Sequence, residues 1–172
     1  MGKYWWVAVL AVLAGCGQAA PAAAPAAVSS VPVSASPVPD GLAALDPCAL
    51  LSPSERSTAG ISVLGKPKTI ADARACDWSV PGTFGVTITL DGKNGLSGLD
   101  IARKTAKKTK VGTHQAVQVA DKKAADGTCA VLLGVGDSAS VQIDVSNTTF
   151  SDTALACRRA GTVAGLVEPK LP

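Results

Sequence analysis

Apolar positions along this chain recur with several different spacings, and each spacing marks a different kind of segment. Residues 4–14 form a continuous apolar run behind a single positive charge at Lys3. That length suits a signal h-region of about 7 to 15 residues and falls short of the about 20 that a membrane-spanning helix needs. Residues 17–41 show no periodicity, holding little but Ala, Pro, Val and Ser with one charge at Asp40. Such a stretch has little to pack, and its prolines block helix and sheet ladders alike, so it reads as a tether. In a polyproline II conformation at about 3.1 Å per residue it reaches roughly 75 Å.

Beyond residue 42 the pattern alternates between periods of two and of three to four. Residues 76–80 read as a strand followed by a Pro81-Gly82 turn. Val86, Ile88 and Leu90 alternate with Thr87 and Thr89 up to the Asp91-Gly92 turn, which is the signature of a half-buried strand. Three further runs, 116–120, 129–135 and 140–145, have strand character. In the last, Val141, Ile143 and Val145 face one way while Ser140, Gln142 and Asp144 face the other. Gly136-Asp137-Ser138 predicts a hairpin between the last two.

Helical spacing predicts three helices. Ser52, Pro53 and Glu55 supply a cap, a first-turn proline and a capping-box partner for a short helix to about Ala59. Ser97 and Asp100 offer a second box, with Leu99, Ala102 and Ala106 spaced for a helix to about Lys108. Ser151-Asp152 caps a third, whose stripe of Ala156, Ala160, Val163 and Val167 runs to about Val167, with Pro169 beyond. The order helix, two strands, helix, three strands, helix predicts an α+β domain over residues 42–172. It comprises a mostly antiparallel sheet of about five strands with three flanking helices, stabilised by disulfides.

Composition narrows the function classes. The 172-residue chain carries a net charge of +3, which falls to +2 if Lys3 leaves with a leader that has no acidic residue. That is too slight to indicate nucleic acid. The five cysteines divide in a way the leader explains. Leu13-Ala14-Gly15-Cys16 resembles the lipobox of bacterial lipoproteins, which implies diacylglycerol on the Cys16 thiol, cleavage after Gly15 and a membrane partner through the lipid. Cys48, Cys76, Cys129 and Cys157 are then an even set for two disulfides in an oxidising compartment. Of three connectivities, Cys48 with Cys76 and Cys129 with Cys157 is favoured, because each closes a local loop of about thirty residues and stabilises by roughly 3 to 4 kcal/mol. With no Cys-x-x-Cys and a single histidine, His114, the cysteines do not suggest a metal site.

Asp46-Pro47-Cys48-Ala49-Leu50-Leu51-Ser52-Pro53-Ser54-Glu55, then Cys76-Asp77-Trp78, then Cys129 and Cys157, together resemble the actinobacterial lipoproteins of the domain of unknown function family 3558. One departure is Gly112-Thr113-His114-Gln115-Ala116, where that family tends to have a Gly-Gly pair and then Pro-Ala. The resemblance implies a signal, a lipid anchor, an extracytoplasmic disulfide-stabilised domain and an actinobacterial source. It implies no reaction.

No catalytic set, cofactor motif or metal motif is evident. His114 has no acidic neighbour in sequence, no Gly-x-Ser-x-Gly elbow is present, and Asp91, Asp121, Asp126, Asp137 and Asp144 lack calcium-loop spacing. Trp78 reads as core packing against a disulfide. The sharpest chemical feature is the basic run Arg103, Lys104, Lys107, Lys108 and Lys110, expected on the outer side of the second helix. There it would either meet an anionic lipid, wall polymer or acidic envelope protein, or simply be solvated. The resulting expectation is a lipid-anchored, non-enzymatic surface protein that binds a partner or small ligand through its sheet or basic helix. A cell-envelope hydrolase or transferase and a structural envelope component are the alternatives.

Overall fold

The computed structural model describes residues 41–99, 101 and 105–172. The leader, Cys16, tether residues 17–40, Asp100, Ala102, Arg103 and Lys104 lie outside the described residues. The described chain starts with a 3-10 turn, Gly41–Ala44, and the helix α1, Pro53–Thr58. Ser52 caps α1: its hydroxyl accepts from the Glu55 N–H, and the Glu55 carboxylate accepts from the Ser52 N–H at 2.8 Å. This is the capping box that residues 52–55 predict.

Seven strands follow: β1 Lys66–Ile70, β2 Ala73–Val80, β3 Phe84–Asp91, β4 Ala106–Val111, β5 His114–Val119, β6 Thr128–Val135 and β7 Ala139–Asn147. The helix α2, Thr153–Val167, and a 3-10 turn, Glu168–Lys170, close the chain. All seven strands form one antiparallel sheet in the order β1-β2-β3-β7-β6-β5-β4.

This corrects the expectation of about five strands with three flanking helices. Among the described residues, α2 is the one helix longer than six residues. Among the described residues the helix expected to about Lys108 is absent: residues 92–99 hold no helix, and Ala106 to Lys110 belong to the edge strand β4. The spacing of Leu99 and Ala106 that suggested a helix joins a connection to a strand. β1 was also missing from the expectation, because Lys-Pro-Lys-Thr-Ile is exposed at every position and so carries no apolar alternation.

Side chains alternate between the two faces of a sheet, and α2 packs on one of them, against β6 and β7. Beneath it lie Trp78, Val86, Ile88, Val131, Leu133, Val141, Ile143 and Val145, all buried. The predicted stripe of α2 faces them: Ala156, Ala160, Val163 and Val167 are at most 1% exposed. Three alanines, Ala156, Ala160 and Ala164, let the helix approach the sheet closely. Asp152 caps α2, its carboxylate accepting from the Leu155 N–H at 2.9 Å.

Two disulfides cross-link this layer, in the pairing that local loop closure favours. Cys129 on β6 joins Cys157 on α2, fastening helix to sheet. Cys48 joins Cys76 on β2, fastening the segment before α1. Trp78 is fully buried beside the second of these, and Gly65 packs so tightly over the Cys76 Sγ and the Trp78 ring that no side chain fits there. The Arg74 guanidinium also holds the entering segment, donating to the carbonyls of Leu45 and Leu42 at 2.6 and 2.7 Å.

Candidate functional site

The other face of the sheet has no helix. Its end nearest the β6–β7 turn is covered by the connection after β3. Ser140 Oγ donates to the Asn94 carbonyl at 2.7 Å, Gly95 is buried against the turn, and Leu96 packs on Gly134. This cover explains why Thr89, Leu132 and Ser140 are buried although they point away from α2. Among the described residues, the opposite end of the same face is bordered by Thr105 and by Val119 to Asp121 and left as an open groove.

One row of paired residues shows how that open end is built. Following the register across all seven strands gives Lys66, Asp77, Thr87, Asp144, Ala130, Val119 and Ala106. The β2–β3–β7 half of the row is polar, and the β6–β5–β4 half is small and apolar. Because Gly85, Ala120 and Ala130 offer little bulk, the face is hollowed into a groove of about 500 Å³. Asp77, Thr87, Asp144, Thr128, Asp126 and Asp121 supply its polar lining, and Gly85, Val119, Ala120 and Ala130 its apolar lining.

The carboxylates differ in their surroundings. Asp77 accepts from Thr87 Oγ1 at 2.7 Å and from Ser79 Oγ at 3.1 Å. Asp126 accepts from the Thr128 N–H and hydroxyl, which hold its carboxyl below the ordinary range. Asp144 stands at the centre of the sheet. Burial pushes its carboxyl above the ordinary range, and the Gln142 amide, donating at 2.9 Å, offsets this only in part. Among the described residues none of these carboxylates, Asp121 included, forms an ion pair.

A second polar cluster lies at the far end of the molecule, on the α2 side. His114 Nδ1 donates to Glu168 Oε1 at 2.9 Å, and the Thr113 N–H and hydroxyl donate to the same oxygen at 2.8 and 3.0 Å. These bonds hold the Glu168 carboxyl down to about 2, the histidine contributing most. His114 Nε2 is 3.4 Å from the Pro172 main-chain oxygen. Nearby in sequence, Lys170 Nζ donates to Glu55 Oε2 at 2.5 Å and to the Leu50 carbonyl. The cluster is a clasp that docks the C-terminal turn on the β4–β5 hairpin and on the cap of α1.

The basic run does not form one face. Lys107, Lys108 and Lys110 are exposed on β4, an edge of the sheet. Lys108 and Lys110 pair with Val117 and Gln115 on the open-face side, whereas Lys107 pairs with Gln118 on the α2 side. The other edge strand has the same character, with Lys66, Pro67 and Lys68. Lysines at both edges, joined by Pro67 on β1, oppose strand addition by another chain, a physical role that requires no bound anion.

The sequence reading did not single out Asp77, Thr87 or Glu168. Asp144 was visible as the polar side of β7. The row that joins it to Asp77 and Ala130 depends on pairing between distant strands.

Among the described residues no group of three His, Cys, Asp or Glu side chains is disposed to hold a metal ion, and no helix is long and apolar enough to cross a membrane. The family model described as "Protein of unknown function (DUF3558)" matches residues 11–170. No curated protein and no solved structure matches the chain.

Proposed function

The chain belongs to the DUF3558 family, and on that premise we propose that it is an actinobacterial lipoprotein with a non-enzymatic binding role in the cell envelope. In this reading acylated Cys16 holds it at the extracytoplasmic face of the membrane, residues 17–41 are the tether, and the open-face groove receives the ligand. The observation that carries the reading is the one-sided sheet. Among the described residues, α2 and the segment before β1 cover one face, and the other keeps a groove whose volume falls within the about 300 to 1,000 Å³ usual for ligand sites.

The arrangement of chemical groups favours binding over catalysis. His114 is engaged in the C-terminal clasp, at the other end of the sheet from the groove and on the α2 side. The groove's polar groups are carboxylates and hydroxyls, most of them already hydrogen-bonded to one another. Such groups recognise a ligand and need no activated nucleophile.

Hydrogen-exchange mass spectrometry of the full chain, in isolated envelopes and in uncharged detergent, tests the groove. Added protection in the envelope is expected at residues 85–87, 128–130 and 144–146. Equal exchange there in both settings would contradict a ligand at this face. The anchor is tested by Cys16→Ser, which should abolish acylation and membrane retention; an acylated, retained Cys16→Ser chain would overturn it.

A further inference from the structure

We infer that the Asn94-Gly95 linkage is a self-modifying site: Asn94 loses its amide through a cyclic imide, and the acidic product loosens the cover over one end of the open face. Gly95 is buried, and a Cβ at this position would collide with the Asp137 carbonyl, so packing of the connection on the β6–β7 turn demands glycine here. A residue without a side chain leaves its own nitrogen unhindered toward the carboxamide of the residue before it. That nitrogen is also unengaged. Among the described residues the Gly95 N–H has no hydrogen-bond acceptor, a rare state for a buried amide. The Asn94 side, by contrast, is exposed to water.

The rest of the turn holds the reacting group. Asp91 Oδ1 accepts from the Lys93 and Asn94 N–H groups at 2.9 and 3.1 Å, and Asp91 Oδ2 accepts from Asn94 Nδ2 at 2.9 Å. In the reaction the Gly95 nitrogen bonds to the Asn94 Cγ and the Cγ–Nδ2 bond breaks. The proton lost from the Gly95 nitrogen is balanced by one gained at Nδ2, which departs as ammonia. The Asp91 carboxylate accepts from that departing nitrogen and favours positive charge developing on it. Water then opens the imide at either carbonyl, giving an aspartyl or an isoaspartyl linkage, so that amide and water become carboxylic acid and ammonia.

Each product breaks the turn. A carboxylate in place of the Asn94 amide cannot donate to Asp91, so attraction at 2.9 Å becomes like-charge repulsion. In the isoaspartyl product the main chain runs through the former side chain, which displaces the carbonyl that accepts from Ser140 Oγ. Thr89, Leu132 and Ser140, buried beneath this connection, then gain access to solvent. Asn147 supplies an internal contrast. Its amide donates to the Ser151 and Asp152 carbonyls, and the next N–H, that of Thr148, donates to the Thr83 carbonyl at 3.0 Å.

The test follows the full chain in uncharged detergent, incubated in neutral buffer with and without urea, by peptide mass spectrometry with isoaspartyl detection. The folded chain is expected to show the amide-to-acid mass shift at Asn94, with isoaspartate among the products, and no shift at Asn147. A shift at Asn94 in urea but not in the folded chain would overturn the inference, as would an unshifted Asn94 in both. Asn94→Gln, whose longer side chain disfavours the ring, should lose the shift over the same period. For the loosened cover, the aged chain is separated from the unreacted one by ion exchange and compared with it by hydrogen exchange. Faster exchange is expected at residues 92–99 and 132–140 of the aged chain, and Asn94→Asp should reproduce it. Asn94→Ala, which removes the same hydrogen bond without adding charge, should show a smaller increase. Unchanged exchange in the aged chain would overturn the loosening. Equal increases in Asn94→Asp and Asn94→Ala would overturn repulsion from Asp91 as its cause.

Discussion

Ile143 and Asp144 are neighbours on β7, and the two faces to which they belong contrast in how they are held. Ile143 is fully buried under α2, in a layer of apolar side chains cross-linked by Cys129–Cys157 and Cys48–Cys76. Asp144 faces a groove with polar side chains on one wall and small apolar ones on the other, with no helix or strand among the described residues packed over it. Burial on the first face stabilises the fold, because apolar surface leaves water and neighbouring atoms make close contact. The groove end of the second face contributes little of that, and burial of Asp144 works against folding when the carboxyl is charged.

The largest effect expected from this contrast is on the covered face. Replacing Cys129 and Cys157 together by Ala should lower the stability of the full chain by about 3 to 4 kcal/mol, read as a fall in the denaturant midpoint. A loss no larger than that of an open-face substitution would break the comparison.

An intermediate effect should appear with pH. The Glu55 and Glu168 carboxyls are both held down to about 2, the first mainly by Lys170 and the second mainly by His114. Since their folded values lie below the unfolded value of 4.5, their stabilisation is present above about 4.5 and is lost as pH falls toward 2. Urea unfolding from pH 6 to pH 2 should show this acid loss, and Glu168→Gln should remove part of it. An unchanged acid slope in that variant would contradict the clasp.

The smallest effect belongs to the groove. Asp144 has the opposite sign: its folded value is raised above 3.8, so its ionisation costs stability as pH rises through and above that range. Asp144→Asn should therefore be neutral or stabilising at pH 7, by no more than about 0.5 kcal/mol, and the difference should vanish at pH 3 or below. A loss of several kcal/mol at pH 7 would make Asp144 a structural residue.

The covered face was legible in the sequence because its elements carry local periodicity. Val86, Ile88 and Leu90 announced β3, and Ala156, Ala160, Val163 and Val167 announced the buried stripe of α2. The two edges were not legible for a physical reason. β1 and β4 bury almost nothing and resist strand addition with lysines, joined by Pro67 on β1, so the apolar signal that identifies a strand is missing. In β4 that gap let the three- and four-residue spacing of Leu99, Ala102 and Ala106 suggest a helix.

The site was legible only in part. Alternation on β7 placed Asp144 opposite Ile143, but the groove arises where Asp144 aligns with Thr87 and Ala130, and Ser146 with Gly85 and Thr128, across strands far apart in the chain. Glu168 and His114 are 54 positions apart, and neither alone marks a clasp.

A scan of β7 in the full chain measures the central contrast most directly. Each of residues 141–146 is replaced in turn by Ala and the unfolding free energy recorded. The account predicts a sawtooth of period two: Val141, Ile143 and Val145 each lose about 1 to 5 kcal/mol, and Gln142, Asp144 and Ser146 each change by less than about 1. Losses at Gln142, Asp144 and Ser146 as large as those at Val141, Ile143 and Val145 would show that both faces hold the fold, and would contradict an open face reserved for binding.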